Sequence, residues 1–97
     1  MHKYEIMYIL KADLDEEARK AEMESLHAML IVGGGKIEHV DETTFGMREL
    51  AYPIKDETKG FYVVIKVSVT DEALNEFNRK VRHNLNVLRH LVIAKHE

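Results

Sequence analysis

The run Phe61–Val69, FYVVIKVSV, constrains the fold of this chain more than any other segment does. Its odd-numbered positions are all aromatic or aliphatic, whereas its even-numbered positions include a lysine and a serine. Successive side chains of a strand point to opposite faces of a sheet, so this pattern predicts a strand with one face in a hydrophobic core. Any fold for this chain must therefore cover one face of a sheet completely.

Three further strands and a turn are predicted from the same kind of pattern. Tyr4–Leu10 alternates in a similar way, although its second face is also rather apolar. Lys36–Ile54 is predicted to be one long, bent strand with a bulge or turn near Gly46, because a glycine inside a strand often marks irregular pairing. Lys55–Gly60 is predicted to be a polar turn, and Val87–Ala94 is predicted to be the last strand.

Two amphipathic helices are predicted between these strands. The first has an acidic N-cap, Asp13 or Asp15, and continues to about Val32, where three consecutive glycines end it. Its apolar stripe is predicted to consist of Leu14, Ala18, Ala21, Leu26, Met29 and Leu30. The second helix is capped by Thr70. Its apolar side is predicted to consist of Ala73, Leu74, Phe77 and Val81.

The resulting order of elements is β-α-β-β-α-β, which is the split β-α-β arrangement of ferredoxin-like folds. We therefore predict an α+β sandwich in a single domain, residues 1–97, with a four-stranded sheet and both helices on one face. The other face stays open. The residues predicted on it are Met7, Ile9, Tyr62 and Val64. Because monomers seldom leave a large apolar patch uncovered, this face is predicted to receive a partner.

Charge is segregated along the chain, although the net charge is only −3. Residues 13–24 contain six acidic and two basic residues, whereas residues 79–97 contain five basic residues and one acidic residue. The first segment would repel a polyphosphate and the second could accept one. Arg82 and Arg89, with asparagines and histidines interleaved, suit contacts to phosphates, sugars and unpaired RNA bases. The alternative interpretation is that both segments are ordinary solvated faces.

No segment predicts catalysis, a metal or another cofactor. The chain has no cysteine, its six histidines show no metal-ligand spacing, and no GxSxG motif is present. The three glycines before Lys36 are not a phosphate loop, because they follow a helix and precede a strand. Some small ferredoxin-like domains hydrolyse acyl phosphates, but the loop after the first strand, residues 11–16, is acidic and would repel a phosphate. We predict that the protein is not an enzyme.

The location of the protein is predicted from its first residues and its apolar runs. Charged residues occur close to the start, and no apolar run approaches the length of a membrane-spanning helix. The absence of cysteine suits a reducing compartment. We therefore expect a cytoplasmic protein without membrane contact.

The segment Arg48–Ile54, RELAYPI, is similar to a segment of a known family. With the opening YEIMYIL, the strand start KGFYVV and the closing VRHNLNVLRHLVIAK, it makes the whole chain resemble the bacterial small-subunit ribosomal proteins of the S-six type. The resemblance implies a ferredoxin-like sandwich with an open, four-stranded antiparallel sheet. It also implies a structural role in the ribosome: binding the central domain of small-subunit rRNA together with a small basic protein, the ribosomal protein of the S-eighteen type.

The resemblance also indicates contact residues. The basic residues near the end of the chain match positions where the family tends to be basic. The set predicted to contact RNA or the partner consists of Lys3, Arg48, Tyr52, Arg82, Arg89 and Lys95. Relatives commonly carry two or three basic residues before the Leu-Ala-Tyr core, whereas this chain has only Arg48 there. Pro53 is predicted to end the pairing of its strand or to lie at a sheet edge, because proline cannot donate to a ladder.

A second hypothesis comes from another class of protein. The chain could be a ferredoxin-like regulatory module that dimerises through its sheet and binds a small metabolite. Phosphate contact by Arg48, Arg82 and Arg89 predicts RNA affinity that falls steeply with salt, whereas a metabolite module predicts a thermal shift with a small ligand. Because a net-acidic domain binds RNA poorly by itself, the ribosomal hypothesis predicts cooperative assembly with the basic partner.

Overall fold

The computed structural model describes residues 1–95, so the last two residues of the predicted domain, 1–97, lie outside the described range. The elements are β1 (His2–Lys11), α1 (Glu16–Leu30), β2 (Lys36–Ile54), β3 (Glu57–Val69), α2 (Asp71–Arg82) and β4 (Val87–Ala94). All strand pairs are antiparallel, and the order across the sheet is β2-β3-β1-β4. The predicted ferredoxin-like βαββαβ sandwich is therefore confirmed.

The core lies between the two helices and one face of the sheet. Alternate residues of β1 and β3 enter it, as their sequence pattern predicts. The fully buried strand residues are Ile6, Tyr8, Leu10, Val63, Ile65, Val67 and Val69. The helices contribute Met23, Leu26, Leu30, Leu74, Phe77 and Val81 to the same cluster. Burial of these apolar surfaces is the main favourable contribution to folding.

The core-facing stripe differs from the prediction in the N-terminal half of α1. Ala18 and Ala21 are exposed, whereas Met23 is buried. Near the start of the helix, Arg19 lies over the core residue Phe61, with its guanidinium carbon 4.2 Å from the ring centroid. A long side chain can cover an aromatic ring while its charge stays in water, so an arginine can occupy a position that a sequence pattern assigns to solvent.

Side-chain caps and glycines fix the ends of the helices. The Asp15 carboxylate accepts a hydrogen bond from the Ala18 N–H at 2.7 Å, and Thr70 caps α2 in the same way. The first helix ends at Leu30, slightly before the predicted end, because the turn that follows contains Gly33 and Gly34 with φ of 77° and 91°. Within residues 1–95, neither helix is long and apolar enough to cross a membrane.

The hairpin of β2 and β3 is longer than predicted. The prediction of a polar turn over Lys55–Gly60 is wrong in length, because only Lys55 and Asp56 turn the chain, with φ of 50° and 65°. Two left-handed residues match the twist of the flanking strands, so pairing resumes at once. The register shifts three times along the hairpin. One shift adjoins Gly46, which has φ of 54° and confirms the predicted bulge, and another includes Pro53 on the edge strand β2.

Candidate functional site

The sheet face opposite the helices has an apolar centre. Residues directly opposite each other on antiparallel strands share a face, and the register aligns Val64, Met7 and Leu91 across β3, β1 and β4. Leu91 is 50% exposed, and Phe45 and Ile93 beside this row are 41% and 45% exposed. Leu91, Ile93 and Phe45 are absent from the sequence-based set, although the alternation of Arg89, Leu91 and Ile93 could have indicated two of them.

Ile9 lies on the predicted face, opposite Tyr62 and Arg89 in the register, but the prediction that it is open to a partner is wrong because the side chain is covered. Met7, Tyr62 and Val64 are half-buried, whereas Ile9 is only 4% exposed. The end of the hairpin covers Ile9 and forms with it a cleft of about 260 Å³. Residues from β2 that line this cleft are Leu50, Ala51, Tyr52 and Ile54. Register shifts bend β2, and the bent strand covers part of the face that the helices leave free.

Tyr52 and Arg89, two residues of the predicted contact set, are neighbours in the structure. Nη1 of Arg89 donates a hydrogen bond to the Tyr52 hydroxyl. Nearby, Nζ of Lys55 donates to the Val87 carbonyl at 3.2 Å. Because β2 and β4 form the opposite edges of the sheet, these two contacts hold the end of the β2–β3 hairpin across the full width of the sheet. Tyr52 in the RELAYPI segment thus connects the hairpin to the last strand.

Arg48 lies on the same open face, at the β2 edge. It is opposite Gly60 in the register, and its Nε donates to the Phe45 carbonyl at 3.1 Å. Its guanidinium carbon is 5.1 Å from the centroid of the Phe45 ring, which in turn is 6.2 Å from the Tyr62 ring. The apolar centre is thus continued to the edge by stacked side chains that end in an exposed arginine.

Lys3 and Lys95 lie at the opposite end of this face, where β1 begins and β4 ends. The backbone N–H of Lys95 donates to the Lys3 carbonyl at 2.9 Å. Nζ of Lys95 is 3.6 Å from Oε1 of Glu5, a partly exposed ion pair that contributes only modestly to stability. These two predicted residues are therefore close to each other but separated from Tyr52 and Arg89 by the apolar centre.

Arg82, the remaining predicted residue, lies in the helix layer. It occupies the last turn of α2, and its charge, after the larger effect of burial, lowers the pKa of His90. The interleaved asparagines are also engaged within the protein. Asn84 donates its side-chain N–H to Glu22, and Asn86 donates to the same carboxylate at 3.4 Å. Their amides therefore hold the α2–β4 loop against α1 rather than facing a nucleic acid.

Other polar groups of the described residues serve the structure. The hydroxyl of the fully buried Tyr8 is 2.8 Å from Nε2 of His27. Burial raises the pKa of Tyr8 far above its usual range and lowers the pKa of His27, so both groups are held neutral. Among residues 1–95, no group of three or more histidine, aspartate or glutamate side chains is placed to hold a metal ion.

Comparison with known proteins agrees with this architecture. Residues 3–94 match the family described as ribosomal protein S6. The fold is similar to the crystal structure of 30S ribosomal protein S6 from Thermotoga maritima, with a TM-score of 0.86 and 28% sequence identity. The similarity covers 97% of this chain and 87% of that one. It therefore includes all the strands that build the open face.

Proposed function

Because the chain belongs to the ribosomal protein S6 family, whose members are structural proteins of the small ribosomal subunit, we propose that it binds the central domain of small-subunit rRNA together with the ribosomal protein of the S-eighteen type. The observation that carries the proposal is the open sheet face. Its centre is apolar, its two ends carry cations, and neither helix covers it within the described range. As a ribosomal protein of the bacterial type, it would act in the cytoplasm.

The apolar centre supports docking of a protein. Exposed apolar patches bounded by polar residues are typical of protein interfaces, and the Val64–Met7–Leu91 row has this character. Glu5 and Asp41 lie on the same face, opposite Lys66 and Val64 in the register. Their carboxylates would complement the positive charge of a basic partner, which favours a correct orientation and fast association.

The cations at the two ends of the face support contact with RNA. Arg48 and Arg89 lie near the hairpin, and Lys3 and Lys95 lie at the other end. With a net charge of −3, the chain alone gains little from phosphate contacts. A basic protein docked on the same face would add positive charge beside these side chains. RNA affinity should then depend on both proteins.

The direct test is RNA binding by the purified chain with and without the S-eighteen type protein, using a labelled fragment of the rRNA central domain. We expect weak binding by the chain alone and at least about tenfold tighter binding of each protein in the presence of the other, because thermodynamic coupling is reciprocal. Tight binding by the chain alone, or no binding when both proteins are present, would contradict the proposal.

A pair of leucine variants separates docking from a general effect of charge. Leu91→Asp places a charge in the apolar centre, whereas Leu85→Asp places it in the α2–β4 loop, where Leu85 is 77% exposed. We expect Leu91→Asp to abolish the increase in RNA affinity that the partner causes and Leu85→Asp to preserve it. Circular dichroism and thermal unfolding of both variants would verify that each is folded.

A further inference from the structure

We infer that the open sheet face carries a separate site for the phosphate backbone of RNA, at the end where β1 begins. Four lysines from four different segments form this lysine row: Lys3, Lys36, Lys66 and Lys95. The inference rests on the proposed function, since it specifies which part of the face meets RNA and leaves the apolar centre to the protein partner.

The strand register places three of these lysines in one line across the sheet. Lys36 on β2 and Lys3 on β1 both lie opposite Ser68 of β3, so all three residues share one face. The backbone of Lys95 bonds to that of Lys3, which extends the line beyond the end of β4. At about 4.8 Å between neighbouring strands, the line is roughly 15 Å long, enough to follow several consecutive phosphates.

Lys66 broadens the row toward the centre of the face. It is exposed and lies opposite Glu5 on β1 and His39 on β2. Within residues 1–95, neither Lys66 nor Lys36 forms an ion pair with an acidic side chain. Neither ammonium group is therefore held in an ion pair by the described part of the chain.

The acidic groups near the row are outnumbered. Glu5 and Asp41 are the carboxylates that the register places on this part of the face, against four lysines and His39. The Asp41 carboxylate accepts backbone hydrogen bonds from Thr43 and Thr44 at 3.1 and 2.9 Å, and hydrogen bonding from Thr44 and Thr43 lowers its pKa and keeps it charged. Counting only side chains within residues 1–95, the charges that the register places at this end of the face therefore sum to a positive value.

The charges of the helix layer direct RNA to the sheet side. The first turn of each helix is acidic, with Glu16 and Glu17 in α1 and with Asp71 and Glu72 in α2. In α2, both Arg79 and Lys80 pair with Glu76. Like-charge repulsion therefore disfavours approach of a polyphosphate to the helices, whereas the lysine row attracts it.

The kinds of side chain in the row indicate contact with phosphates rather than reading of bases. A lysine ammonium is a point charge with three donors and no acceptor, so it binds phosphate oxygens without selecting a base. Reading unpaired bases requires amide or arginine edges or aromatic rings for stacking. The line itself contains only lysines and Ser68. The site should therefore add affinity without sequence preference.

The test compares two triple variants with the same change in net charge, each bound to the S-eighteen type protein. In the row variant, Lys3, Lys36 and Lys66 are changed to Gln. In the control, Lys20, Arg79 and Lys80 on the helices are changed to Gln. The affinity for the labelled central-domain fragment is measured over a range of salt concentrations. Losing three phosphate contacts should lower the slope of log affinity against log salt by about 2 to 3, at roughly 0.7 to 0.9 per contact.

The outcomes separate this inference from the proposed function. A lower slope in the row variant, with the control close to wild type, would support the lysine row. An unchanged slope in the row variant, while RNA still binds, would overturn it and leave the proposed function intact. Weaker binding of the protein partner in the absence of RNA, with an unchanged slope, would also overturn it, because the row would then contact protein. Absence of RNA binding by the wild-type pair would instead reject the proposed function and the row with it.

Discussion

Replacement of Gly60 by alanine tests whether the end of the β2–β3 hairpin, which covers Ile9, is packed tightly against the sheet. An added Cβ would overlap Cγ2 of Ile9 and would lie 3.4 Å from Cδ2 of Leu50. Ile9 is β-branched, so its γ-methyl cannot move away without an unfavourable rotamer. Overpacking of this kind costs about 1–3 kcal/mol, and the smaller freedom of the unfolded alanine chain offsets about 0.4–1 kcal/mol. We expect a net destabilisation of about 1–2 kcal/mol.

Urea denaturation of a double-mutant series would identify the cause of this loss. Ile9→Ala removes the γ-methyl that Gly60→Ala would strike, whereas Ile9→Val keeps a methyl in the same place. Gly60→Ala should therefore cost at least about 1 kcal/mol less in the alanine background than in the wild type, and nearly its full amount in the valine background. An equal cost in all three backgrounds would refute the steric explanation and with it the tight packing of the hairpin end.

Four further predictions concern the polar and backbone contacts. Burial lowers the pKa of His27 and His90 below 6.5, so the unfolded chain binds protons before the folded chain does as pH falls. The free energy of unfolding should therefore be greatest above about pH 7 and should decrease as pH falls through 6.5. His27→Gln should make this decrease shallower, as measured by the urea midpoint at each pH. Tyr8→Phe, which removes the hydroxyl bonded to His27, should lower the free energy of unfolding by about 1 kcal/mol at pH 8. Gly46→Ala should destabilise by about 1 kcal/mol and Gly46→Asn by less, measured in urea, because φ is 54° there; equal effects would contradict this. Glu22→Ala should leave two loop amides without their acceptor and speed hydrogen exchange in residues 83–86, whereas unchanged exchange would show that the carboxylate does not hold the loop.

The order of the elements could be predicted from the sequence because it depends on local information. Each signal is encoded within a few residues. These signals are the alternation over Phe61–Val69, the helix caps Asp15 and Thr70, and the glycines that end the first helix. The core of a two-layer sandwich follows from these patterns once the strands and helices are assigned. This is why the fold class and most of the buried strand residues agree with the structure.

The site was harder to predict because its residues meet only through the tertiary structure. Ile9 has the pattern of an open-face residue, but a strand bent by register shifts returns to cover it. Asn84 and Glu22 are 62 residues apart, so no local pattern could show that they bond. The lysine row likewise depends on the pairing of Lys3 and Lys36 with Ser68, which a sequence reveals only when the register of three strands is known.

The irregular edge formed by β2 has a consequence for the behaviour of the isolated chain. A regular edge strand offers a template on which another molecule can add a strand, and such growth leads to fibrous aggregates. Here the three shifts in pairing, the left-handed Gly46 and the missing N–H of Pro53 interrupt the repeat that an incoming strand would need. The β2 edge is therefore a poor template for strand addition by a second copy of the chain.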